Sequence, residues 1–406
     1  MKILQVNKFY YLKGGAESYY FDLSDLFSEK GHKIIPFAMQ DQRNNSTEYA
    51  KYFIDKINIE KVGFSIKDLK AAGRILYSFE SRRKIKKLLD VEKIDIAHIH
   101  NIYHQISPSI LSAIKERNIP IVMTVHDFKL MCPVYSFYTH GEICERCKVK
   151  KYYNCVLHKC AKNSYFASKI NMVEMYLHRM LKIYRNNIDL YICPSKFVRD
   201  KMIEFGWPRK KIIVVPHFVK SQDDDVINEV GEYALFFGRL IKEKGIADLL
   251  RAYKYLKNEK IKIAGTGPQE KEYKNFIKKE GMENVEFTGY LPRVDLKKVI
   301  AKAKYTIVPS LSYETFGLSI TESFAQGKAV IASNVGALPE LVKNMKTGII
   351  YQSGNWRDLK NKIIVLNKDK NKIVEMGKNA REYVINNLSS SQHYSKLLAE
   401  YNKLLK

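Results

Sequence analysis

Short apolar runs bounded by turn residues alternate with helix-length stretches, and they do so twice along the chain. In the first series the runs fall at residues 3–6, 33–38, 95–100, 119–125, 189–193 and 211–216. In the second they fall at 233–237, 260–264, 284–288, 305–309, 329–333 and 348–351. Runs this short and this apolar fit strands covered on both faces. Strands separated by helices lie parallel, because each connection has to cross back over the sheet. The pattern predicts two doubly wound α/β domains, and 406 residues give each of them a sizeable core. Asp223, Asp224 and Asp225, among polar neighbours, read as a solvated linker. The expected division is therefore 1–220, a linker at 221–231, 232–388, and a final helix at 389–406.

In open parallel sheets ligands bind at the carboxyl ends of strands. The residues placed there carry the chemistry. After the run 305–309, Glu314 stands just before the step Phe316–Gly317, Leu318 opens a helix, and Glu322 lies within it. A helix start presents free N–H groups and a positive dipole end, which suits phosphate. A carboxylate beside it can accept hydrogen bonds from sugar hydroxyls. Arg239 and Lys244 follow the run 233–237, close enough for both cations to face one site and stabilise a departing diphosphate. The plain alternative is a pair of surface cations at a helix start. Gly265 and Gly267 close the next run without the third glycine of a dinucleotide fingerprint. Gly14 and Gly15 follow the first strand and allow close backbone approach to a ligand, or form a simple turn. His126 and Asp127 end the strand at 119–125, where a histidine serves either a ligand or the fold.

Taken in order, these segments resemble the motifs of the retaining glycosyltransferases of family 4 (glycosyl transferases group 1), polysaccharide-biosynthesis type. Glu314 and Glu322 resemble that family's glutamate pair, and Arg239 and Lys244 its diphosphate-binding cations. Gly265–Gly267, the segment 332–340 and the pair Gly14–Gly15 match further motifs, so the likeness runs over about residues 1 to 350. It implies the GT-B architecture: two doubly wound Rossmann-like domains facing each other across a cleft, with 389–406 crossing back to the first. It also implies transfer of a sugar, with retention, from a nucleotide-diphosphate sugar to a hydroxyl of a saccharide acceptor. In that likeness Arg239 and Lys244 stand in for a divalent ion, so no metal or other cofactor is required for transfer. His126, Glu314, Arg239 and Lys244 form the implied catalytic set. Gly14, Gly15, Arg239, Lys244, Gly265, Gly267, Glu314, Phe316, Gly317, Leu318 and Glu322 form the implied donor site. Glu322 would accept from the ribose hydroxyls, and Gly317 and Leu318 would donate backbone N–H groups to phosphate. The implied setting is capsule, exopolysaccharide or lipopolysaccharide assembly on a polyprenyl-diphosphate-linked acceptor. Where many members carry Pro-Asn-Gly, this chain has Pro216, His217 and Phe218. A nucleotide-sugar epimerase on the same fold and a non-catalytic, basic membrane-binding protein remain as rival readings.

The net charge is +26, from 69 basic and 43 acidic residues, and it is densest over 146–220. An anionic membrane surface is the expected partner of that excess, a solvated basic face the plain alternative. None of the recognised nucleic-acid-binding signatures is present, so nucleic acid is not expected. The stretch 165–187 carries apolar residues at helical spacing with interspersed Lys and Arg, which suits either an interfacial helix or packing on a sheet. No apolar run approaches the roughly 20 residues that span a bilayer, and the first residues read as a strand rather than a leader. The expected location is the cytoplasm, peripheral to the inner face of the cell membrane. Finally, an insertion at about 128–165 carries Cys144, Cys147, Cys155 and Cys160 at a spacing compatible with a structural zinc. Reduced, packed thiols are the alternative.

Overall fold

The computed structural model describes residues 1–57, 73–220 and 230–406. Asp223–Asp225 and most of the expected linker lie outside these residues. The chain forms two compact units. The first comprises Met1–Phe137, Cys144–Pro216 and His393–Lys406; the second comprises Tyr138–Ile143 and His217–Gln392.

The strands of the first unit are β1 (Lys2–Val6), β2 (Lys33–Phe37), β3 (Ile96–Ile99) and β4 (Ile121–Thr124). They continue, after a small antiparallel hairpin of β5 (Tyr138–Thr139) and β6 (Glu142–Ile143) that is grouped with the second unit, with β7 (Leu190–Cys193) and β8 (Ile212–Val214). The six-stranded sheet has the order β2-β1-β3-β4-β7-β8, parallel throughout. Ile3, Leu4, Ile96, Ile121, Val122 and Ile192 are fully buried, so neighbouring residues of one strand are covered on opposite faces. That is why these strands read as unbroken apolar runs rather than as alternating ones. The order reverses between β1 and β3, the topological switch point of this sheet.

The second unit repeats the plan with β9 (Tyr233–Phe237), β10 (Lys260–Ala264), β11 (Val285–Gly289), β12 (Tyr305–Val308), β13 (Val330–Ser333) and β14 (Gly348–Tyr351). Its order is β11-β10-β9-β12-β13-β14, again parallel. Ile263, Ile307 and Ile331 point into one core with Leu249, Ile363 and Met376 from the covering helices. Here the switch point lies between β9 and β12. Both units are therefore doubly wound α/β sheets of the GT-B type.

The final helix, Ser390–Leu405, buries His393, Leu397 and Tyr401. Tyr394 and Tyr401 pack their rings on Phe27, at 5.0 and 5.5 Å between centroids. Among the described residues no helix is long and apolar enough to cross a membrane.

Candidate functional site

At the switch point of the second sheet, the loops leaving β9 and β12 meet. Arg239 follows β9, and Lys244 ends the short turn Lys242–Lys244. Gly245 holds φ +70°, and a Cβ there would stand 1.8 Å from the carbonyl oxygen of Pro309. Only glycine lets the two loops come this close. The amide of Leu311 then donates to Glu243 O at 2.8 Å. This contact sets Lys244 against Glu314: Lys244 Nζ donates to Glu314 Oε1 at 2.6 Å, and Ser310 Oγ donates to the same oxygen at 2.6 Å. The Glu314 side chain is only 19% exposed. Burial by itself would raise its pKa, but Lys244, the Ser310 hydroxyl and the charge of Arg239 outweigh that and hold it below the usual value. The result is a fixed carboxylate with two cations in its field.

The flanking turns complete this rim. Gly265, at φ +134°, would place a Cβ 1.9 Å from Gly238 O, so the turn after β10 is pressed onto the turn after β9. At Gly267 a Cβ would stand 2.3 Å from Leu240 O. Phe316 is buried, and the ring of His217 meets it edge-on at 5.1 Å. His217, from the Pro-His-Phe turn, is thus part of the support under the loop. Gly317, at φ +110°, starts the helix Leu318–Ala325, and Glu322 is half-buried within it. The structure therefore brings Arg239, Lys244 and Glu314 together, and sets Gly317 and Leu318 at the helix start that follows.

The first sheet has its own strand-end cluster. His126 follows β4, and its Nε2 lies 2.8 Å from Nδ1 of His100, which follows β3. The two rings stack at 5.1 Å, and His98 stacks on His100 at 4.4 Å. His98 reaches Tyr401 with Nδ1 at 2.6 Å and Thr124 with Nε2 at 2.7 Å. Burial depresses His126 and His98 to about 3, the charge of His126 adding to the effect on His98. Both are neutral rings near pH 7, able to orient a hydroxyl but not to act as cations. Glu17, in the first turn of the helix Gly15–Glu29, is buried and receives Asn7 Nδ2 at 3.3 Å. Burial raises its pKa, and Asn7 and Lys8 offset this in part. Asp127 is raised by burial as well. Gly14 and Gly15 are exposed at the start of that helix. Sequence reasoning singles out His126 but not His98 or His100. The alternation His98–Ile99–His100 at a strand end is the available signal.

In the cysteine-bearing insertion, Cys147, Cys155 and Cys160 pack with Tyr152 and Met175. Cys132 is buried, and burial pushes its thiol up to about 11. Cys144 is only half-buried, with Arg146 pointing an N–H at its sulfur from 3.6 Å. Among the described residues no group of three or more His, Cys, Asp or Glu side chains stands so as to hold a metal ion. The zinc expectation therefore rests on the cysteine spacing alone. A buried ion pair anchors the insertion: Lys129 Nζ lies 2.6 Å from Glu174 Oε2, with both side chains almost fully enclosed. Burial opposes ionisation of Glu174, yet Lys129 and His104 hold its carboxyl well below the ordinary range.

Comparison with known proteins agrees with this fold. An uncharacterized glycosyltransferase of Methanocaldococcus jannaschii is 24% identical over 94% of this chain and 93% of its own length. The O-antigen chain mannosyltransferase B of Escherichia coli is 28% identical over 43% of this chain and 50% of its own. Among solved structures, Anabaena HepE in complex with UDP-glucose shares the fold, with a TM-score of 0.70 at 16% identity, covering 99% of this chain and 100% of that one. Residues 220–383 match the Glycosyl transferases group 1 family, and residues 13–223 match Glycosyltransferase Family 4. The second match alone spans half of the sequence: the chain belongs to glycosyltransferase family 4.

Proposed function

We propose that this glycosyltransferase moves a sugar from a nucleotide-diphosphate sugar to a hydroxyl of a saccharide acceptor, with retention and without a metal ion. The observation that carries the reading is the Lys244–Glu314 pair, with Arg239 beside it, at the switch point of the second sheet. An ammonium has three N–H donors, and Glu314 takes one of them. The remaining donors of Lys244 and the guanidinium of Arg239 stabilise the diphosphate as its bond to the sugar breaks. Their fixed positive charge does the work a divalent cation does elsewhere. Gly317 and Leu318 add backbone N–H groups and the dipole of the helix they open. Gly265 and Gly267 keep the adjoining turn low enough for a nucleotide to approach.

In this reading Glu314 stays ionised and faces the sugar, where it accepts from hydroxyls and stabilises developing positive charge. Glu322 accepts from the ribose. Gly14 and Gly15 supply backbone contacts to the diphosphate, and His126 is a neutral partner for a sugar hydroxyl. Burial leaves His126 too weak a base to hold the acceptor's proton, which passes instead to the departing phosphate.

The UDP-glucose in Anabaena HepE supports a uridine nucleotide. The O-antigen relative supports a saccharide acceptor in surface polysaccharide assembly. A polyprenyl-diphosphate carrier and a location at the inner face of the cell membrane extend the same reading. The test is donor binding and transfer in chelator-treated protein. A thermal shift with one of UDP, GDP or ADP, lost in Arg239→Ala, is expected without metal. Nucleoside diphosphate released only when an acceptor is present, with the sugar found on the acceptor and its anomeric configuration kept by NMR, completes it. Epimerised donor without acceptor, or strict dependence on added divalent cation, defeats the proposal.

A further inference from the structure

The helix Tyr165–Met180 buries Ser168, Glu174, Met175 and His178 and turns a different face outward. Tyr165, Lys169, Val173, Tyr176 and Met180 are all exposed, and their spacing of three and four residues puts them on one side. Tyr165 is 59% and Met180 73% exposed. The side that would face a core in an ordinary amphipathic helix is here in solvent. Leu181 extends the stripe, and Lys182, at φ +50°, ends the helix there. The preceding loop widens it. Lys159 sits 4.4 Å over the ring of Tyr165, and Tyr153 and Leu157 are exposed nearby in sequence. Isolated exposed apolar residues are commonplace, but a continuous stripe marks an interaction surface.

The charge around the stripe says what it meets. Over residues 144–187 the only acids are Glu145 and Glu174, and both are engaged, by Lys201 at 2.7 Å and Lys129 at 2.6 Å. Among the described residues Lys150, Lys151, Lys159, Lys169, Arg179 and Lys182 have no acidic partner. The helix Phe79–Val91, also rich in Lys and Arg, is more nearly neutralised: Glu116 takes Arg82 and Lys86, and Glu80 takes Lys84, leaving Arg83 and Lys87. At the far end of the stripe, Arg179, Lys182 and Arg185 border a largely apolar cleft with Tyr152 and Trp207. Apolar side chains ringed by unneutralised cations fit an anionic lipid bilayer, the apolar groups entering the acyl boundary and the cations meeting phosphate.

We infer that the outer face of Tyr165–Met180, with the adjoining 148–159 loop, docks this glycosyltransferase on an anionic phospholipid surface. The inference places the membrane contact that the proposed lipid-linked acceptor requires, and its test does not depend on transfer. Co-sedimentation with vesicles of phosphatidylcholine alone and with added phosphatidylglycerol reads it directly. Binding is expected only with phosphatidylglycerol, and should weaken at high salt. Val173→Asp with Met180→Asp, and separately Lys169→Glu with Lys182→Glu, should each lower vesicle affinity about tenfold or more. All four positions are outside any core, so melting temperature and transfer to a short water-soluble acceptor should be unchanged. Equal sedimentation with both vesicle types, or undiminished binding by the variants, overturns the inference. So does a wild-type dimer that Met180→Asp converts to monomer without vesicle binding, since the face then meets a second copy. Loss of transfer with vesicle binding intact counts against the proposed function and leaves the docking face standing.

Discussion

Lys244 Nζ and Glu314 Oε1 lie 2.6 Å apart although 70 residues separate them in sequence. The two loops that carry them leave neighbouring strands, β9 and β12, on either side of the point where strand order reverses. The pair keeps a half-buried carboxylate charged and leaves the ammonium with donors to spare. Lys244→Met should remove both effects. Without Lys244 the burial of Glu314 is no longer outweighed, so its pKa rises. Activity is then present above that pKa and lost as pH falls through it. The acid limb of the rate profile should therefore move to higher pH. Transfer at neutral pH should fall by about 100-fold or more, the usual loss for a stabilising group at a site of developing charge. A rate profile that keeps its acid limb would show that Glu314 does not set it.

Gly14 offers a separation of fold from function. Its φ of −171° is open to any residue, and a Cβ there would meet only Glu17 Oε2, at 3.8 Å. Gly14→Ala should melt within about 0.5 kcal/mol of wild type. If donor phosphate approaches this backbone, the added methyl should raise the donor KM about tenfold with little change in stability. Gly265→Ala is the contrast. With a Cβ 1.9 Å from Gly238 O at positive φ, it should lose several kcal/mol, on the order of 3, and express poorly. Donor titrations and melts of the two variants check both halves.

The sheets are legible in the sequence because the central strands are buried on both faces and so write themselves as apolar runs, while the edge strand β11, with Glu286 exposed, is the weakest of them. Every such run overlaps a strand of the structure, with ends that differ by a residue or two. Individual motif residues are legible too, since strand ends and glycine turns are local features. Their pairing is not. Nothing local to Lys244 names Glu314 as its partner; that follows from β9 and β12 being neighbours. His98 and His100 escape for the same reason, as their partners come from β4 and the last helix. The stretch 165–187 reads as one amphipathic segment, but Lys182 in the left-handed region divides it. Periodicity shows that it has an apolar stripe, and cannot show that part of the stripe faces solvent.

The buried histidines predict a pH dependence of stability. His98 and His126 are held at about 3 and His393 at about 4, in each case mainly by burial. An unfolded chain protonates them near 6.5. Between these values the unfolded state binds more protons, so stability is full above pH 6.5 and declines as pH falls toward 4. Each of the three contributes a slope of up to about 1.4 kcal/mol per pH unit in that window. Urea unfolding at pH 7.5, 6.5 and 5.5 should show the decline, and His126→Gln should make it shallower by about one proton. A flat stability across this range would mean that these rings accept protons in the folded state.

Elementary chemistry fixes the direction of a hydrogen-bond chain in the first unit. The carbonyl of Pro216 can only accept, so the ring nitrogen facing it, Nδ1 of His393 at 2.9 Å, carries the proton. Burial keeps the ring neutral, which makes Nε2 an acceptor, and Tyr19 OH donates to it at 2.9 Å. Tyr19→Phe removes that donor with almost no change in shape. The expected loss is about 1–3 kcal/mol in urea unfolding, with nucleotide binding unaffected. His393→Phe in the Tyr19→Phe background removes the other half of the pair, and should cost less than the sum of the two single changes. A Tyr19→Phe protein as stable as wild type would show that the His393 ring finds another donor, and that the hydroxyl does not hold the last helix to this unit.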